Sequence, residues 1–319
     1  MTIAAGFVVP DGIILAADTK ESYGENDHTY INKIEVDWHT FPSAQSRPKT
    51  QSAYIAIVGS GDGYLIDHIT GQIKRIFHET ADSDMEVFGK ALSELMPCLY
   101  ASPAFTAYPH SDITDLYTQF LIAVRLNNRQ PATLFETNSS LVNEVLHNSL
   151  RIIGCGTMKE TANELIMPDL SRDSMYDAKV AALYLIYEAK RHYSSVGGLT
   201  HIYHLPHPGA GARPEAWNPV DQGLRENLFQ QLRDWHHRIV MTVGSVAIAP
   251  ESYEIVLDQF QRDMRRIRKE FIVMQERERE RQHDETLTRA REFWRQLEEA
   301  AKKAKQEPSP QDSSQSQKP

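Results

Sequence analysis

The first 18 residues constrain the fold more than any other part of the sequence, because two short apolar runs flank a turn signal there. Residues 2–9 and 13–17 are apolar and mostly small, and Pro10-Asp11-Gly12 lies between them. Proline, aspartate and glycine in succession are typical of a tight turn between strands. We therefore predict a β-hairpin at the start of the chain.

Apolar periodicity predicts further strands and helices as far as residue 205. Helical spacing follows the glycine cluster at 59–63, a second helical pattern runs to Pro97, and a third covers 177–193. Strand-like runs occupy residues 30–36, 53–58, 117–126, 131–136, 150–153 and 199–205. Strands at both ends with paired helices between them predict one layered α+β domain over residues 2–205.

The chain beyond this domain divides by composition. Prolines and glycines predict a linker and insertion at residues 206–252, and dense charge predicts a helical extension at 253–306. Opposite charges in that extension fit a solvated helix, and its apolar stripe fits a packing seam. Residues 307–319 are rich in Pro, Ser and Gln and are predicted to be a disordered tail.

Charge and cysteine content restrict the class of protein. The net charge of −9 argues against a broad nucleic-acid or anionic-membrane surface. Two cysteines suit a reducing compartment, and no apolar run approaches the roughly 20 residues that span a bilayer. Residues 1–18 lack a basic start and are interrupted by Pro10, unlike a signal peptide. We expect a cytoplasmic protein.

The pair Met1-Thr2 is the first motif with a chemical consequence. Aminopeptidases remove an initiator Met when the next side chain is small, as Thr2 is. The hydroxyl of Thr2 and the new α-amine would then belong to one residue, and such an amine has a pKa of about 7.7–8.0. It can act as the base for its own hydroxyl. Alone the motif is not diagnostic, because many proteins begin Met-Thr.

Five segments in order resemble the proteasome β subunits and the related bacterial HslV peptidase, which are N-terminal threonine peptidases. They include an N-terminal Thr on a first strand, an Asp ending the second, a later Lys, and two glycine turns. The segments are residues 2–19, 32–34, 57–62, 154–156 and 189–198. The resemblance implies a four-layer αββα sandwich of the N-terminal-nucleophile hydrolase type.

The resemblance also implies roles for individual residues. Thr2 is the nucleophile, Lys33 lowers the pKa of its hydroxyl, and Asp18 holds Lys33 in place. The backbone N–H of Gly59 faces the oxyanion of the tetrahedral intermediate. The segment between Lys33 and Gly59 is longer than in the family, so we expect a loop insertion at 37–52.

Three positions depart from the family's pattern. Tyr193 and Val196 stand where the family carries an Asp and a Ser that orient the amine and its water. Cys155 replaces the serine of the Gly-Ser-Gly turn and is a poorer hydrogen-bond donor. Ser194 and Ser195 are candidates to substitute for the missing groups. Cys155, Ser194 and Ser195 are therefore kept as possible supporting residues of the site.

Neither a metal nor a cofactor is expected. His201, His204 and His207 recur every third residue, but on a strand that spacing does not bring all three to one face. The glycines after residue 58 lack the Gly-Lys-Ser/Thr sequence of a phosphate-binding loop.

The sequence therefore predicts a threonine peptidase that cleaves peptides or unfolded proteins through an acyl-enzyme. A homo-oligomer in a ring or spiral is expected by resemblance, and an ATPase regulator is an open option. Two alternatives share the fold: a catalytically silent scaffold or assembly subunit, and an N-terminal-Thr amidase or ligase with one defined substrate. Tyr193, Val196 and Cys155 favour the silent subunit, whereas an intact Thr2, Asp18 and Lys33 set favours an enzyme.

Overall fold

The computed structural model divides the chain into two compact units, Met1–Gln230 and Gln231–Pro319. The residues described are 2–23, 27–42, 50–102, 118–126, 130–146, 149–154, 175–208, 214–216 and single helical residues between 223 and 295. None of the described helices is long and apolar enough to cross a bilayer. The domain boundaries predicted above stay predictions.

Two five-stranded antiparallel sheets form the centre of the first unit. The first sheet has the order β10-β1-β2-β11-β12 and the second β5-β6-β7-β8-β9, while β3 and β4 form a separate hairpin. The strands are β1 (Ile3–Val9), β2 (Gly12–Asp18), β3 (Lys20–Tyr23), β4 (Asp27–Tyr30), β5 (Ile34–Pro42), β6 (Thr50–Ser60), β7 (Gln119–Arg125), β8 (Thr133–Asn138), β9 (Leu141–Val145), β10 (Ser149–Gly154), β11 (Thr200–Pro206) and β12 (Glu215–Ala216). The helices are α1 (Gly63–Thr80), α2 (Met85–Tyr100) and α3 (Met175–His192).

Three hydrophobic cores join these elements into four layers. On β1 and β2, alternate residues such as Phe7 and Ile14 pack with Leu183 on α3. The residues between them face the second sheet and form the core between the sheets. The opposite face of the second sheet packs on α1 and α2. The order is α3, first sheet, second sheet, then α1 and α2, so the predicted αββα sandwich is confirmed.

The opening hairpin forms as predicted, and the layers explain its composition. Both faces of β1 and β2 are covered, so the two strands are apolar throughout and do not alternate. The turn needs glycine, because a Cβ at Gly12 would lie 2.4 Å from the Leu205 carbonyl oxygen. Gly12 also has a φ of 151°, which side-chain-bearing residues rarely adopt.

Two local predictions for the chain between β3 and β6 are wrong. The expected strand at 30–36 is two strands, because β4 ends at Tyr30 and β5 begins at Ile34. The expected loop insertion at 37–52 contains most of β5 and the start of β6, which pair from Ile34↔Val58 to Pro42↔Thr50. The described part of this segment therefore forms a hairpin and not a loop, and Lys33 lies in the connection just before it. That the segment is longer than in the family stays a prediction.

Candidate active site

The residues predicted from the chain's start meet at one end of the sandwich. Thr2 is partly exposed and immediately precedes β1, and Asp18 ends the neighbouring strand β2. Ile3 pairs with Gly154 at the end of β10, and Thr200 at the start of β11 pairs with Asp18. Antiparallel pairing thus brings residues from distant parts of the sequence to one edge.

Asp18 is the buried centre of this cluster, with a residue exposure of 0%. Its Oδ1 accepts from Lys33 Nζ at 2.9 Å and from the Ile3 N–H at 3.2 Å. Its Oδ2 accepts from the Gly197 N–H at 3.1 Å. One carboxylate oxygen therefore links the Lys33 ammonium to the peptide group that follows Thr2. Three donors offset the cost of burying the charge.

Lys33 is held by its surroundings as well as by Asp18. Its side chain is 6% exposed, and Nζ also donates to the Lys20 carbonyl. The preceding residue fixes the turn, because Asn32 Oδ1 accepts from the Ile34 N–H at 3.1 Å and contacts His201 Nδ1 at 2.7 Å. Burial, and secondarily the charge of Lys190, lowers the pKa of His201. A neutral His201 that donates from Nδ1 satisfies this contact without adding charge beside Lys33.

Gly59 lies at the end of β6 with its N–H directed towards this cluster. The Phe120 N–H donates to Thr137 Oγ1 at 3.1 Å, so the polar backbone groups of Phe120 face β8. Phe120 lies directly opposite Gly59 in the β6–β7 pairing. Because the Phe120 N–H points away from β6, the two residues form a non-hydrogen-bonded antiparallel pair, in which the N–H of each residue points away from the other strand. The Gly59 N–H therefore points to the β5 side, one residue beyond the last β5–β6 pair and where Lys33 precedes β5.

Gly154 brings the two sheets together beside Thr2. Its φ is 92°, and a Cβ there would lie 1.8 Å from the Thr2 carbonyl oxygen and 3.0 Å from Ser60 Oγ. Its N–H donates to Gln119 Oε1 on β7 at 3.1 Å. Sequence reasoning identified the glycine turn but missed Gln119, because nothing in a single sequence shows which strand lies opposite it.

The segment after α3 also contacts the cluster, mostly through its backbone. The Gly197 carbonyl accepts from the Thr19 and Lys20 N–H groups at 3.2 and 3.1 Å. The Ser194 carbonyl accepts from Lys20 Nζ at 2.8 Å. Sequence reasoning pointed to the side chains of this segment and missed Lys20 and Gly197. Gly197 makes its contacts through its backbone, and Lys20 through both its backbone and its ammonium. Lys20 carries no motif of its own.

Two of the positions that depart from the family's pattern lie in or beside a hydrophobic core. Val196 is 4% exposed and belongs to the core between α3 and the first sheet, and Tyr193 packs against that core. Ser194 is exposed and Ser195 half-exposed. Cys155 lies outside the described residues, so the prediction for its side chain is not addressed by the structure.

The three histidines near β11 do not form a common site. His204 lies on the face of β11 that Ile202 turns towards α3, near Lys179. His201 and His207 point away from that face. His201 contacts Asn32, and His207 accepts from the Ala132 N–H. Across the described part of the chain, no three His, Cys, Asp or Glu side chains come together as metal ligands.

A cavity of about 680 Å³ lies elsewhere, between α2 and the β8–β9 hairpin. Its lining includes Met85, Gln130 and Leu146 but none of the residues predicted for the site. The candidate active site at the strand ends is therefore separate from this cavity.

The comparisons with known proteins rest on structure. No protein-family model matches the sequence, and no curated protein matches it. An Anbu Gly-1 mutant from Hyphomicrobium sp. strain MC1 matches with a TM-score of 0.55 and 13% identity, over 75% of this chain and 97% of that one. Anbu from Yersinia bercovieri, described as an ancestral β-subunit, gives 0.50 and 13%, over 76% and 96%.

A third match is the helical assembly of the Anbu complex from Pseudomonas aeruginosa, with a TM-score of 0.51 and 14% identity over 74% of this chain and 96% of that one. Identity this low is informative about fold, and function needs its own argument from the site. The chain has the α+β fold of the N-terminal-nucleophile type that the family resemblance implies, and it shares that fold with Anbu.

Proposed function

We propose that the chain is a threonine peptidase whose nucleophile is the hydroxyl of Thr2 after removal of Met1. The observation that carries the proposal is the buried Asp18, whose single Oδ1 binds both Lys33 Nζ and the N–H of the residue after Thr2. A buried ion pair often stabilises a fold no better than apolar residues of the same volume would. A fixed ammonium beside an N-terminal threonine has a direct use in catalysis.

In the proposed first half-reaction, the neutral α-amine of Thr2 takes the proton of its own hydroxyl. The Oγ attacks the peptide carbonyl carbon, and the C=O electrons move onto the oxygen. The charge of Lys33 stabilises the attacking alkoxide, and the Gly59 N–H donates to the oxyanion. The oxyanion then collapses to re-form the C=O bond, the C–N bond breaks, and the protonated amine gives its proton to the leaving nitrogen. An ester on Thr2 Oγ remains.

In the second half-reaction, water replaces the leaving amine. The free α-amine takes one proton from water, the hydroxide attacks the ester carbon, and collapse of the oxyanion expels Thr2 Oγ. The proton returns to Oγ, so the enzyme is regenerated and a carboxylic acid is released. No metal or cofactor takes part in this scheme.

We further propose that the chain works as a homo-oligomer, as a ring or spiral, on peptides or unfolded proteins in the cytoplasm. The fold is shared with Anbu from Pseudomonas aeruginosa, whose structure is of a helical assembly. Thr2 is partly exposed at the strand ends, where an extended peptide can approach it. An ATPase regulator that feeds substrate is compatible with this arrangement.

Hydrolysis of a fluorogenic peptide mixture tests the proposal. Thr2→Ala removes the hydroxyl and should abolish hydrolysis, while Thr2→Ser keeps a hydroxyl and an amine and should retain a measurable fraction. Thr40→Ala changes an exposed threonine on β5; it is the matched control and should hydrolyse the peptides at the wild-type rate. Wild-type rates from Thr2→Ala would rule out Thr2 as the nucleophile.

The silent scaffold or assembly subunit is the second candidate, and one observation favours it. Val196 and Tyr193 belong to a hydrophobic core where the family carries polar, amine-orienting groups. An inert wild-type chain that assembles normally would establish this reading. A chain that hydrolyses one defined amide but not the peptide mixture would instead support the amidase or ligase.

A further inference from the structure

A cluster of two histidines and one aspartate lies on the outer face of β5 against α1. His39 and Asp37 are two residues apart on β5 and so share one face, and His78 meets them from α1. Asp37 Oδ2 is 3.0 Å from His78 Nε2, and His78 Nδ1 is 3.3 Å from His39 Nδ1. The active-site proposal makes no use of these residues.

The tautomer of His78 follows from its carboxylate partner. Asp37 accepts a hydrogen bond from the Nε2–H group, so in the neutral ring Nδ1 carries a lone pair. That lone pair faces the His39 Nδ1 atom across 3.3 Å. A carboxylate that fixes a histidine so that its other nitrogen faces outward is the arrangement found around histidine-ligated metals.

The separation of the two nitrogens fits a metal as well as it fits a hydrogen bond. Nitrogens bound to tetrahedral zinc lie about 2.0–2.1 Å from the ion, which puts two of them about 3.3 Å apart. The Nδ1 atoms of His39 and His78 have that separation. Their rings are nearly perpendicular, with an interplanar angle of 75°, so two rings can approach one ion without stacking.

The electrostatic setting also favours a cation. His78 is in the last turn of α1, where the carbonyl ends of the helix carry partial negative charge. Asp37 adds a full negative charge, and the nearby Lys74 is neutralised by Glu35. The side chain of His78 is 42% exposed, so an ion reaches the site directly from solvent.

We propose that His39 and His78 bind a borderline transition-metal dication of the zinc class, with Asp37 as the residue that orients His78. Imidazole nitrogens suit Zn²⁺, Cu²⁺ and Ni²⁺, whereas Ca²⁺ and Mg²⁺ prefer oxygen ligands. Two protein ligands leave the remaining positions to water. Such an ion ties the β5–β6 hairpin to the end of α1, away from the Lys33 connection. The proposal is independent of peptidase activity.

The test uses the full-length chain without an affinity tag, treated with chelator and titrated with zinc chloride by calorimetry. The wild type should bind one more Zn²⁺ than either His39→Gln or His78→Gln. Asp37→Asn should keep the site but weaken it about 10- to 100-fold, as loss of an orienting group does. His192→Gln changes an exposed histidine near the end of α3; it is the control and should bind zinc like the wild type.

Thermal unfolding of the same proteins gives a second readout, because an ion that binds only the folded chain raises its Tm. Zinc should raise the Tm of the wild type and of His192→Gln more than that of either cluster variant. Equal zinc stoichiometry and equal Tm shifts in all proteins would overturn the proposal. A wild type that binds no zinc at micromolar concentrations would overturn it without any variant, and would leave the two rings as a hydrogen-bonded pair.

Discussion

Lys33 and Arg125 are buried cations at opposite ends of the sandwich, and they have different kinds of partner. At the Thr2 end, Lys33 has the Asp18 carboxylate and a backbone carbonyl as partners. At the opposite end, Arg125 is 6% exposed, donates to the Pro206 carbonyl at 2.8 Å and lies 4.7 Å from the centre of the Tyr54 ring. Burial lowers the pKa of Arg125, with only partial compensation from neighbouring tyrosines.

The difference supports the proposed placement of the active site at the Thr2 end. Arg125 uses a carbonyl and an aromatic face, which are adequate for packing a long side chain. Lys33 has a dedicated carboxylate, and that carboxylate also binds the backbone next to Thr2. Lys33 is therefore fixed at a defined point beside Thr2, whereas Arg125 is only accommodated. Lys179, also buried towards the opposite end, pairs with Glu215, whose carboxylate is largely exposed.

The largest expected effect is that of removing the Asp18 charge. Asp18→Asn leaves the Lys33 ammonium buried without a carboxylate, which should lower the free energy of unfolding by about 3–5 kcal/mol. Peptide hydrolysis should also be lost. Urea unfolding and hydrolysis by the folded fraction measure the two effects separately.

A double variant separates the structural from the catalytic role of the pair. Asp18→Asn with Lys33→Met removes both charges, so most of the lost stability should return while hydrolysis stays absent. A double variant that hydrolyses peptides at the wild-type rate would show that the ion pair is only structural, and the contrast with Arg125 would collapse.

At the opposite end, His204 should make stability depend on pH. Burial, and then the charge of Lys179, lowers its pKa to about 4 against the opposing effects of Glu215 and Asp11. Its Nδ1 is 3.9 Å from Glu215 Oε1, too far for a hydrogen bond. Between the ordinary pKa of about 6.5 and that value, the unfolded chain binds a proton that the folded chain does not.

Stability should therefore fall by about 1.4 kcal/mol per pH unit below about pH 6.5, towards a total of about 3 kcal/mol near pH 4. His204→Leu should remove that part of the slope, whereas exposed His192→Gln should keep it. Urea unfolding of the three proteins between neutral and acid pH is the measurement. Identical slopes for wild type and His204→Leu would contradict the assignment.

A smaller effect is expected from the glycine that contacts Thr2. Gly154→Ala should lower stability by about 1–3 kcal/mol, because its φ of 92° is strained for alanine and the new Cβ meets the Thr2 carbonyl. Hydrolysis should fall with it, since Thr2 must move. Gly71→Ala is the control: nothing lies within 4 Å there, so alanine on α1 should stabilise by about 0.5–1 kcal/mol.

The smallest effect is expected for Arg125→Met. The variant loses a hydrogen bond and a ring contact but no longer buries a charge, so stability should change by less than about 2 kcal/mol. Hydrolysis per folded molecule should be unchanged, as chemical denaturation and peptide assays can check. A strong loss of hydrolysis would show that both ends of the sandwich contribute to function.

The sequence predicted the parts of the fold that depend on local pattern. Residues 2–9 and 13–17 are short and apolar, and they form β1 and β2 because layers cover both of their faces. The prediction from pattern was wrong around Lys33, where the alternating residues 30–36 were assigned to one strand although β4 ends at Tyr30 and β5 begins at Ile34. Such a break depends on the turn at Asn32, whose hydrogen bonds join residues far apart in the chain.

The site was predictable only where a motif lies along the sequence. Thr2, Asp18, Lys33 and Gly59 were proposed through a family resemblance, and the fold brings them to one end of the sandwich. The partners Gln119 and Lys20 were missed, because they depend on which strands and turns face each other.

The central claim, that Thr2 is an N-terminal nucleophile, is tested most directly by a peptide epoxyketone. That reagent forms a ring with both the hydroxyl and the free amine of an N-terminal threonine. Mass spectrometry of the treated wild type should show loss of Met1 and an adduct on the Thr2 peptide, which Thr2→Ala lacks. A retained Met1, or a processed chain whose Thr2 stays unlabelled, would contradict the claim.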